Sequence, residues 1–175
     1  MIFPKLIFCD WMGTLVSHKM LSNYFLSRIK SIKKTPVDSS NLSFEEIFIL
    51  KKMKEEQGDC FIPYSWHLVK KFHSLGAKII IVSNGCSKEI KRCIKFAPFQ
   101  EFSLILGTDK FLPKPNKEMF EYGLKEMRCS REESILIGDS STDKVAADNM
   151  QIKYYEINDT FQANFKVAKH FEIID

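Results

Sequence analysis

Four polar residues stand at or shortly after the end of a short apolar stretch. They are Asp10, Ser83, Lys114 and Asp139, and the stretches cover residues 6–9, 79–82, 104–106 and 135–137. Short apolar stretches bounded by turn residues predict buried strands of a parallel sheet. The carboxyl ends of such strands meet at one edge, where open α/β sheets bind ligands. Because burying a bare carboxylate is costly, Asp10 is expected to be a nucleophile or a metal ligand.

Helical patterns separate these predicted strands. One helix starts at Pro63 and ends before Gly76, and others cover residues 87–96, 116–127 and 142–149, followed by a fifth strand over 154–157. This alternation predicts an α/β fold, with a parallel sheet covered by helices on both faces.

Residues 17–61 interrupt the alternation with two predicted helices. The first has apolar residues at helical spacing between Met20 and Ile32, and the second starts at Ser43, where Glu46 completes a capping-box pattern. The insert is small for an independent domain. We therefore expect one α/β core over residues 1–16 and 62–175 and a small helical cap over 17–61.

The composition limits the possible function classes. The chain has 175 residues, 45% hydrophobic and 27% charged, which is typical of one globular domain. A net charge of +4 is too mild to predict a nucleic-acid partner. Five scattered cysteines, none in a Cys-x-x-Cys pair, predict reduced thiols and neither a disulfide framework nor a zinc site. No stretch is long enough to span a membrane, so we expect a cytoplasmic protein without a membrane partner. The sequence carries no signal of oligomeric state.

The polar stretches, in this order, resemble the four motifs of the haloacid dehalogenase-like (HAD) hydrolase superfamily. The resemblance is carried by Asp10-Trp11-Met12-Gly13-Thr14-Leu15, Ser83-Asn84, Lys114-Pro115 and Gly138-Asp139-Ser140-Ser141-Thr142-Asp143. It extends over residues 6–150 apart from the insert. It implies a three-layer Rossmann-like core with a parallel sheet and a small helical cap inserted after the first motif.

The resemblance also implies roles for these residues. Asp10 would attack phosphorus and form an aspartyl-phosphate. The phosphate would be held by Ser83, Asn84, Gly85 and Lys114. Mg²⁺, which prefers oxygen ligands, would be bound by Asp10, the backbone carbonyl of Met12 and Asp139, with Asp143 binding it directly or supporting a ligand. The implied function is Mg²⁺-dependent hydrolysis of a small phosphorylated metabolite.

Met12 departs from the family pattern, which usually has a second Asp there as general acid and base. Losing such a group typically costs about 10²–10⁴ in rate, and three interpretations remain open. The protein could hydrolyse only esters with good leaving groups, or use another acid such as His18. It could resemble phosphonoacetaldehyde hydrolases, whose motif reads Asp-Trp-Ala-Gly-Thr and which need a cap lysine (Lys51, Lys52 or Lys54 here), or haloacid dehalogenases, which also lack the second Asp. It could also be an impaired module that binds phosphate and Mg²⁺ for regulation.

Each site residue also has a purely structural interpretation. Asp10 and Asp139 could be N-caps or turn formers, and Ser83 could be a capping hydroxyl. Lys114 could lie on the surface, and Asp143 could favour the first turn of a helix through the macrodipole. The arrangement of the five side chains in space distinguishes these interpretations from the catalytic ones.

Overall fold

The computed structural model of the protein describes residues 3–17, 61–95, 97–158 and 160–173. In these residues five parallel strands form one sheet in the order β3-β2-β1-β4-β5. The strands are β1 (Leu6–Cys9), β2 (Lys78–Val82), β3 (Leu104–Leu106), β4 (Ser134–Gly138) and β5 (Lys153–Glu156). All five predicted strands are therefore confirmed, and β1, which precedes Asp10, lies at the centre of the sheet.

Five helices connect or follow the strands in the described residues. They are α1 (Pro63–Ser74), α2 (Ser87–Ile94), α3 (Glu118–Met127), α4 (Ser141–Met150) and α5 (Phe161–His170). The first four were predicted to within two residues at each end. After α1 the chain turns at Gly76, whose φ of 93° is the left-handed conformation that favours glycine at the end of a helix. Helix α5 was not predicted.

The side chains of the central strand alternate between two apolar clusters, one on each face of the sheet. Ile7 and Cys9 join a cluster that includes residues of α1, α2 and α5. Leu6 and Phe8 join a second cluster with residues of α3 and α4. Each large side chain buried in these clusters stabilises the fold by about 1.5–3 kcal/mol relative to an exposed one. The two clusters confirm the predicted three-layer α/β architecture.

The predicted cap lies almost entirely outside the described residues, as do its two helices, His18, Lys51, Lys52 and Lys54. The ends of the insert are described and lie side by side. Val16 and Phe61 form an antiparallel bridge, and the backbone N–H of Ile62 donates to the Leu15 carbonyl at 2.9 Å. The residues at the two ends of the predicted insert thus lie together beside the turn that follows Asp10. None of the described helices combines the length and apolar character needed to cross a membrane.

Candidate active site

Asp10 is the first residue after β1, and the sheet holds its backbone in place. Its N–H donates to the Ile137 carbonyl at 3.0 Å, which extends the pairing of β1 with β4 by one residue. The residue is only 6% exposed. A carboxylate buried to this degree needs charged or hydrogen-bonding partners, and the neighbouring loops provide them.

The turn after Asp10 brings Thr14 back over the carboxylate. The backbone N–H groups of Leu15 and Val16 donate to the Trp11 carbonyl, and Gly13 adopts a φ of 82°, a conformation that glycine reaches without steric cost. As a result, the Thr14 hydroxyl lies 3.2 Å from Asp10 Oδ2 and 3.1 Å from Asp139 Oδ1. A hydroxyl has one hydrogen to donate, so it binds one of the two carboxylates at a time.

The loop from β4 to α4 carries two further carboxylates. Asp139 follows β4 directly and is half-buried, whereas Asp143 lies in the first turn of α4 and is fully buried. A capping box fixes Asp143: Ser140 caps α4, and Asp143 Oδ2 accepts from the Ser140 N–H at 3.2 Å and hydroxyl at 2.5 Å. Gly138 is required beside it, because a Cβ there would lie 2.7 Å from Asp143 Cγ.

Lys114 extends from the loop between β3 and α3 into the centre of this group. Its ammonium donates to Asp10 Oδ1 at 2.6 Å and to Asp143 Oδ1 at 2.5 Å, and its side chain is 3% exposed. The structure excludes the interpretation of Lys114 as a surface lysine. Asp143 does lie in the first turn of its helix, as its purely structural interpretation predicted, but it also accepts a hydrogen bond from Lys114.

Three carboxylates and one ammonium of the described residues meet in this group. One oxygen from each of Asp10, Asp139 and Asp143 lies within 4.8 Å of the others, and Lys114 is the cation bound among them. Burial raises the pKa of Asp10 to about 6; the Lys114 ammonium works against this shift, and the Asp143 charge adds to it. Burial lowers the pKa of Lys114, but its two carboxylate partners outweigh burial and hold it above its ordinary value. A divalent cation bound here would add positive charge beside the three carboxylates.

The chain after β2 forms a tight turn beside the Lys114 loop. Ser83 is buried, and its hydroxyl oxygen accepts from the Gly85 N–H at 3.0 Å. The Asn84 amide binds the backbone of Lys114 at both its N–H and its carbonyl group. The structure therefore brings together the loops that carry all of the predicted site residues.

A family comparison agrees with this arrangement. The profile of the haloacid dehalogenase-like hydrolase family matches residues 13–157. The chain belongs to this family. Asp10 and Met12 precede the matched range; Asp10 lies directly after β1 and contacts Lys114 and Thr14.

Individual relatives are distant in sequence. A glyceraldehyde 3-phosphate phosphatase from Methanocaldococcus jannaschii is 23% identical over 125 residues, 65% of this chain and 54% of the relative, so this chain spans about half of that protein's length. A HAD-superfamily hydrolase from Ehrlichia chaffeensis matches with a TM-score of 0.67 at 18% identity, covering 100% of both chains. CbbY from Rhodobacter sphaeroides, in a complex with phosphate, matches with a TM-score of 0.64 at 14% identity over 89% of this chain and 86% of that one. The two solved structures show the same fold.

Met12 lies in an apolar environment in this haloacid dehalogenase-like hydrolase. It is half-buried, pairs with Val16 in an isolated bridge and packs against the cluster that includes Trp11 and Leu15. A thioether in this position neither donates nor accepts protons in acid–base catalysis. The general acid and base expected in the first motif is therefore absent from that position.

Three residues with polar contacts at the site were not among the sequence-predicted site residues. Thr14 lies between Asp10 and Asp139. Its place in the first motif was the sequence feature that could have indicated a position at the site. The Tyr154 hydroxyl lies 3.0 Å from the Gly138 carbonyl, which precedes Asp139. Asp109 accepts two hydrogen bonds from Ser87, at the start of α2. Nothing in the local sequence around Tyr154 or Asp109 indicates these long-range contacts.

Proposed function

We propose that this haloacid dehalogenase-like hydrolase is a phosphohydrolase that uses Asp10 as its nucleophile. The observation that carries the proposal is the buried ammonium of Lys114, which bridges Asp10 and Asp143 at the carboxyl edge of the sheet. A carboxylate that attacks an anionic phosphoryl group needs a positive charge beside it to offset the repulsion between the two anions, and Lys114 provides that charge. Phosphoryl transfer depends mainly on such positioning and charge stabilisation.

The reaction proceeds in two displacements. In the first, one oxygen of the Asp10 carboxylate forms a bond to phosphorus while the bond from phosphorus to the leaving oxygen breaks, giving an aspartyl-phosphate. In the second, a water oxygen forms a bond to the same phosphorus while the bond from phosphorus to the Asp10 oxygen breaks, which regenerates the Asp10 carboxylate and releases inorganic phosphate. The water proton passes to solvent, and solvent supplies the proton that the leaving oxygen of the first step takes up. Lys114 offsets the charge of Asp10 and of the phosphoryl oxygens throughout. The Ser83 hydroxyl, whose oxygen already accepts from Gly85, keeps its hydrogen to donate to a phosphoryl oxygen.

The carboxylate cluster fits Mg²⁺, because its donors are hard oxygen atoms within 4.8 Å of one another. Asp10 and Asp139 would hold the ion together with the Met12 backbone carbonyl. Asp143 would act through its neighbours, since Lys114 binds one of its oxygens and Ser140 binds the other. When bound, Mg²⁺ would polarise the phosphoryl group and neutralise charge that develops on it.

Met12 limits which esters the protein can hydrolyse. No carboxylate at this position can protonate a departing alkoxide or activate the water that hydrolyses the aspartyl-phosphate. Acyl and aryl phosphates, whose leaving groups need little protonation, should therefore react faster than alkyl phosphates. The substrate class is a small phosphorylated metabolite; the Methanocaldococcus jannaschii relative is named for glyceraldehyde 3-phosphate, and CbbY was crystallised with phosphate.

A panel of phosphate compounds tests the proposal. Phosphate release would be measured from an acyl phosphate, an aryl phosphate, several alkyl phosphates and phosphonoacetaldehyde, each with and without Mg²⁺. We expect Mg²⁺-dependent release that is fastest with the acyl and aryl compounds and absent in Asp10→Asn. Release that survives Asp10→Asn would refute the proposed nucleophile. Preferential cleavage of phosphonoacetaldehyde would favour the phosphonate alternative.

The apolar environment of Met12 favours one second candidate, a regulatory module that binds Mg²⁺ and phosphate without turnover. The same panel separates the two functions. The regulatory module predicts no release from any compound, while calorimetry still detects Mg²⁺ and inorganic phosphate binding that Asp139→Ala weakens.

A further inference from the structure

We infer that Asn84 is a positioning residue for Lys114: its side-chain amide fixes the lysine backbone so that the ammonium lies between Asp10 and Asp143. The inference deepens the proposed function and rests on it for its catalytic consequence. It also gives Asn84 a role other than the direct phosphate contact expected from the sequence.

The contact between Asn84 and Lys114 has two points. The Lys114 N–H donates to Asn84 Oδ1 at 2.7 Å, and Asn84 Nδ2 donates to the Lys114 carbonyl at 3.3 Å. A primary amide has an acceptor on one side and a donor on the other, so it matches the two backbone groups of one residue. Exchanging the amide oxygen and nitrogen would set donor against donor, so the hydrogen bonds also fix the amide orientation.

The loop around Lys114 is also held at neighbouring residues, since the Leu112 N–H donates to Glu118 at 2.8 Å and Asn149 Nδ2 donates to the Pro115 carbonyl at 3.1 Å. In the described part of the chain, Asn84 provides the hydrogen bonds to the Lys114 backbone itself. The neighbours Leu112, Pro113, Pro115 and Asn116 are exposed, whereas the Lys114 side chain is buried. A lysine has four flexible side-chain carbons, and fixing them in one conformation costs conformational entropy. Anchoring the backbone at both polar groups reduces the number of conformations from which the ammonium must reach its two carboxylates.

Asn84 can serve as an anchor because its own backbone is held. The Thr108 N–H donates to the Gly85 carbonyl at 3.0 Å, and the Thr108 hydroxyl donates to the Asn84 carbonyl at 3.3 Å. Asp109 accepts from the Ser87 N–H at 2.7 Å and hydroxyl at 2.9 Å. The turn after β2 is thus fastened to the turn after β3 at Asn84 and at the residues that follow it, and the Asn84 amide transmits that position to Lys114.

Acylation of individual lysines tests the inference without relying on activity. The Mg²⁺-supplied protein would be treated with a limiting amine-acetylating reagent, and mass spectrometry would follow Lys114 against the exposed Lys117 in the same loop. In Asn84→Ala we expect Lys114 to be acetylated about tenfold faster relative to Lys117, equivalent to about 1.4 kcal/mol. Asn84→Asp should raise the rate less, because it keeps the oxygen that accepts from the Lys114 N–H.

A matched control is Asn116→Ala, which removes a hydrogen bond to the Glu118 N–H at 2.9 Å but no contact with Lys114. It should leave the acetylation ratio unchanged. The inference would be overturned if Lys114 is acetylated at the same relative rate in Asn84→Ala and wild type. It would also be overturned if Asn116→Ala raises that rate as much as Asn84→Ala does.

Phosphate release from an aryl phosphate separates this inference from the proposed function. Asp10-dependent release together with unaltered Lys114 protection in Asn84→Ala would sustain the function and refute the role of Asn84. Faster acetylation of Lys114 in Asn84→Ala, with no release from wild type, would sustain the positioning and refute the phosphohydrolase.

Discussion

Replacing Asp10 with asparagine should stabilise the metal-free protein at neutral pH, although it removes the proposed nucleophile. Burial raises the pKa of Asp10 from 3.8 to about 6, with the Lys114 charge opposing and the Asp143 charge adding to the shift. Each pKa unit corresponds to 1.36 kcal/mol, so ionising Asp10 in the folded state costs about 3 kcal/mol relative to the unfolded chain. Asparagine carries no charge and avoids this cost.

The difference in unfolding free energy between Asp10→Asn and wild type should depend on pH. Because the folded-state pKa of Asp10 lies above its unfolded value, Asp10 binds more protons in the folded state between about pH 4 and pH 6, and its contribution to stability falls as pH rises through that window. The free energy of unfolding of Asp10→Asn should therefore match that of wild type near pH 4 and exceed it by about 3 kcal/mol at pH 7. Urea denaturation in the presence of a chelator measures both values.

Asp109 provides a control of opposite sign. Burial works against the shift, but hydrogen bonds from Ser87 hold the pKa of Asp109 below its ordinary value. Its contribution to stability is thus present above the unfolded pKa and lost as pH falls through the folded one. Asp109→Asn should destabilise the protein at pH 7 and have less effect in acid. If Asp10→Asn is instead less stable than wild type at pH 7, the account of an electrostatically strained Asp10 is wrong.

Three further substitutions test separate parts of the site. Met12→Asp should raise turnover of an alkyl phosphate by a factor of about 10², because it restores an acid–base group. Steady-state kinetics on the folded, Mg²⁺-bound variant measures the gain. No gain on any ester would show that the missing acid–base group is not explained by Met12. Gly138→Ala should cost about 1–3 kcal/mol in urea denaturation, since its Cβ would lie 2.7 Å from Asp143; unchanged stability would contradict the close approach. Ser140→Ala removes the N-cap of α4 and should cost about 0.5–2 kcal/mol of unfolding free energy, with a smaller loss in Ser140→Thr as its control.

The sequence predicted the framework of the site better than its internal contacts. The strands before Asp10 and Asp139 were recognisable because a fully buried parallel strand is a continuous apolar run, and parallel pairing then brings their ends to one edge. The contact of Thr14 with Asp139 spans 125 residues and that of Asn84 with Lys114 spans 30. No local pattern encodes such contacts, since they depend on how the loops are placed by the finished sheet.

Helix α5 illustrates a different failure of prediction. Its buried residues are Asn164 and Val167, whereas Phe161 and Phe165 are exposed. The two largest apolar side chains of the segment therefore lie away from its buried face, and a polar residue occupies part of that face. Asn164 is accommodated because its amide donates to the Asn158 and Thr160 carbonyls and accepts from Ser65. Helix–core packing, which the periodicity did not show, stabilises this segment.

Trapping the phosphoenzyme tests the central claim most directly. The protein would be mixed with an acyl phosphate and Mg²⁺, quenched in acid after short times, digested with pepsin and mapped by mass spectrometry, with Asp10→Asn treated in parallel. We predict one phosphoryl group on Asp10 that accumulates, because Met12 provides no base to activate water, and no such group in Asp10→Asn. Phosphate release with Asp10 unmodified at every time, or a phosphoryl group on another residue that persists in Asp10→Asn, would contradict Asp10 as the nucleophile.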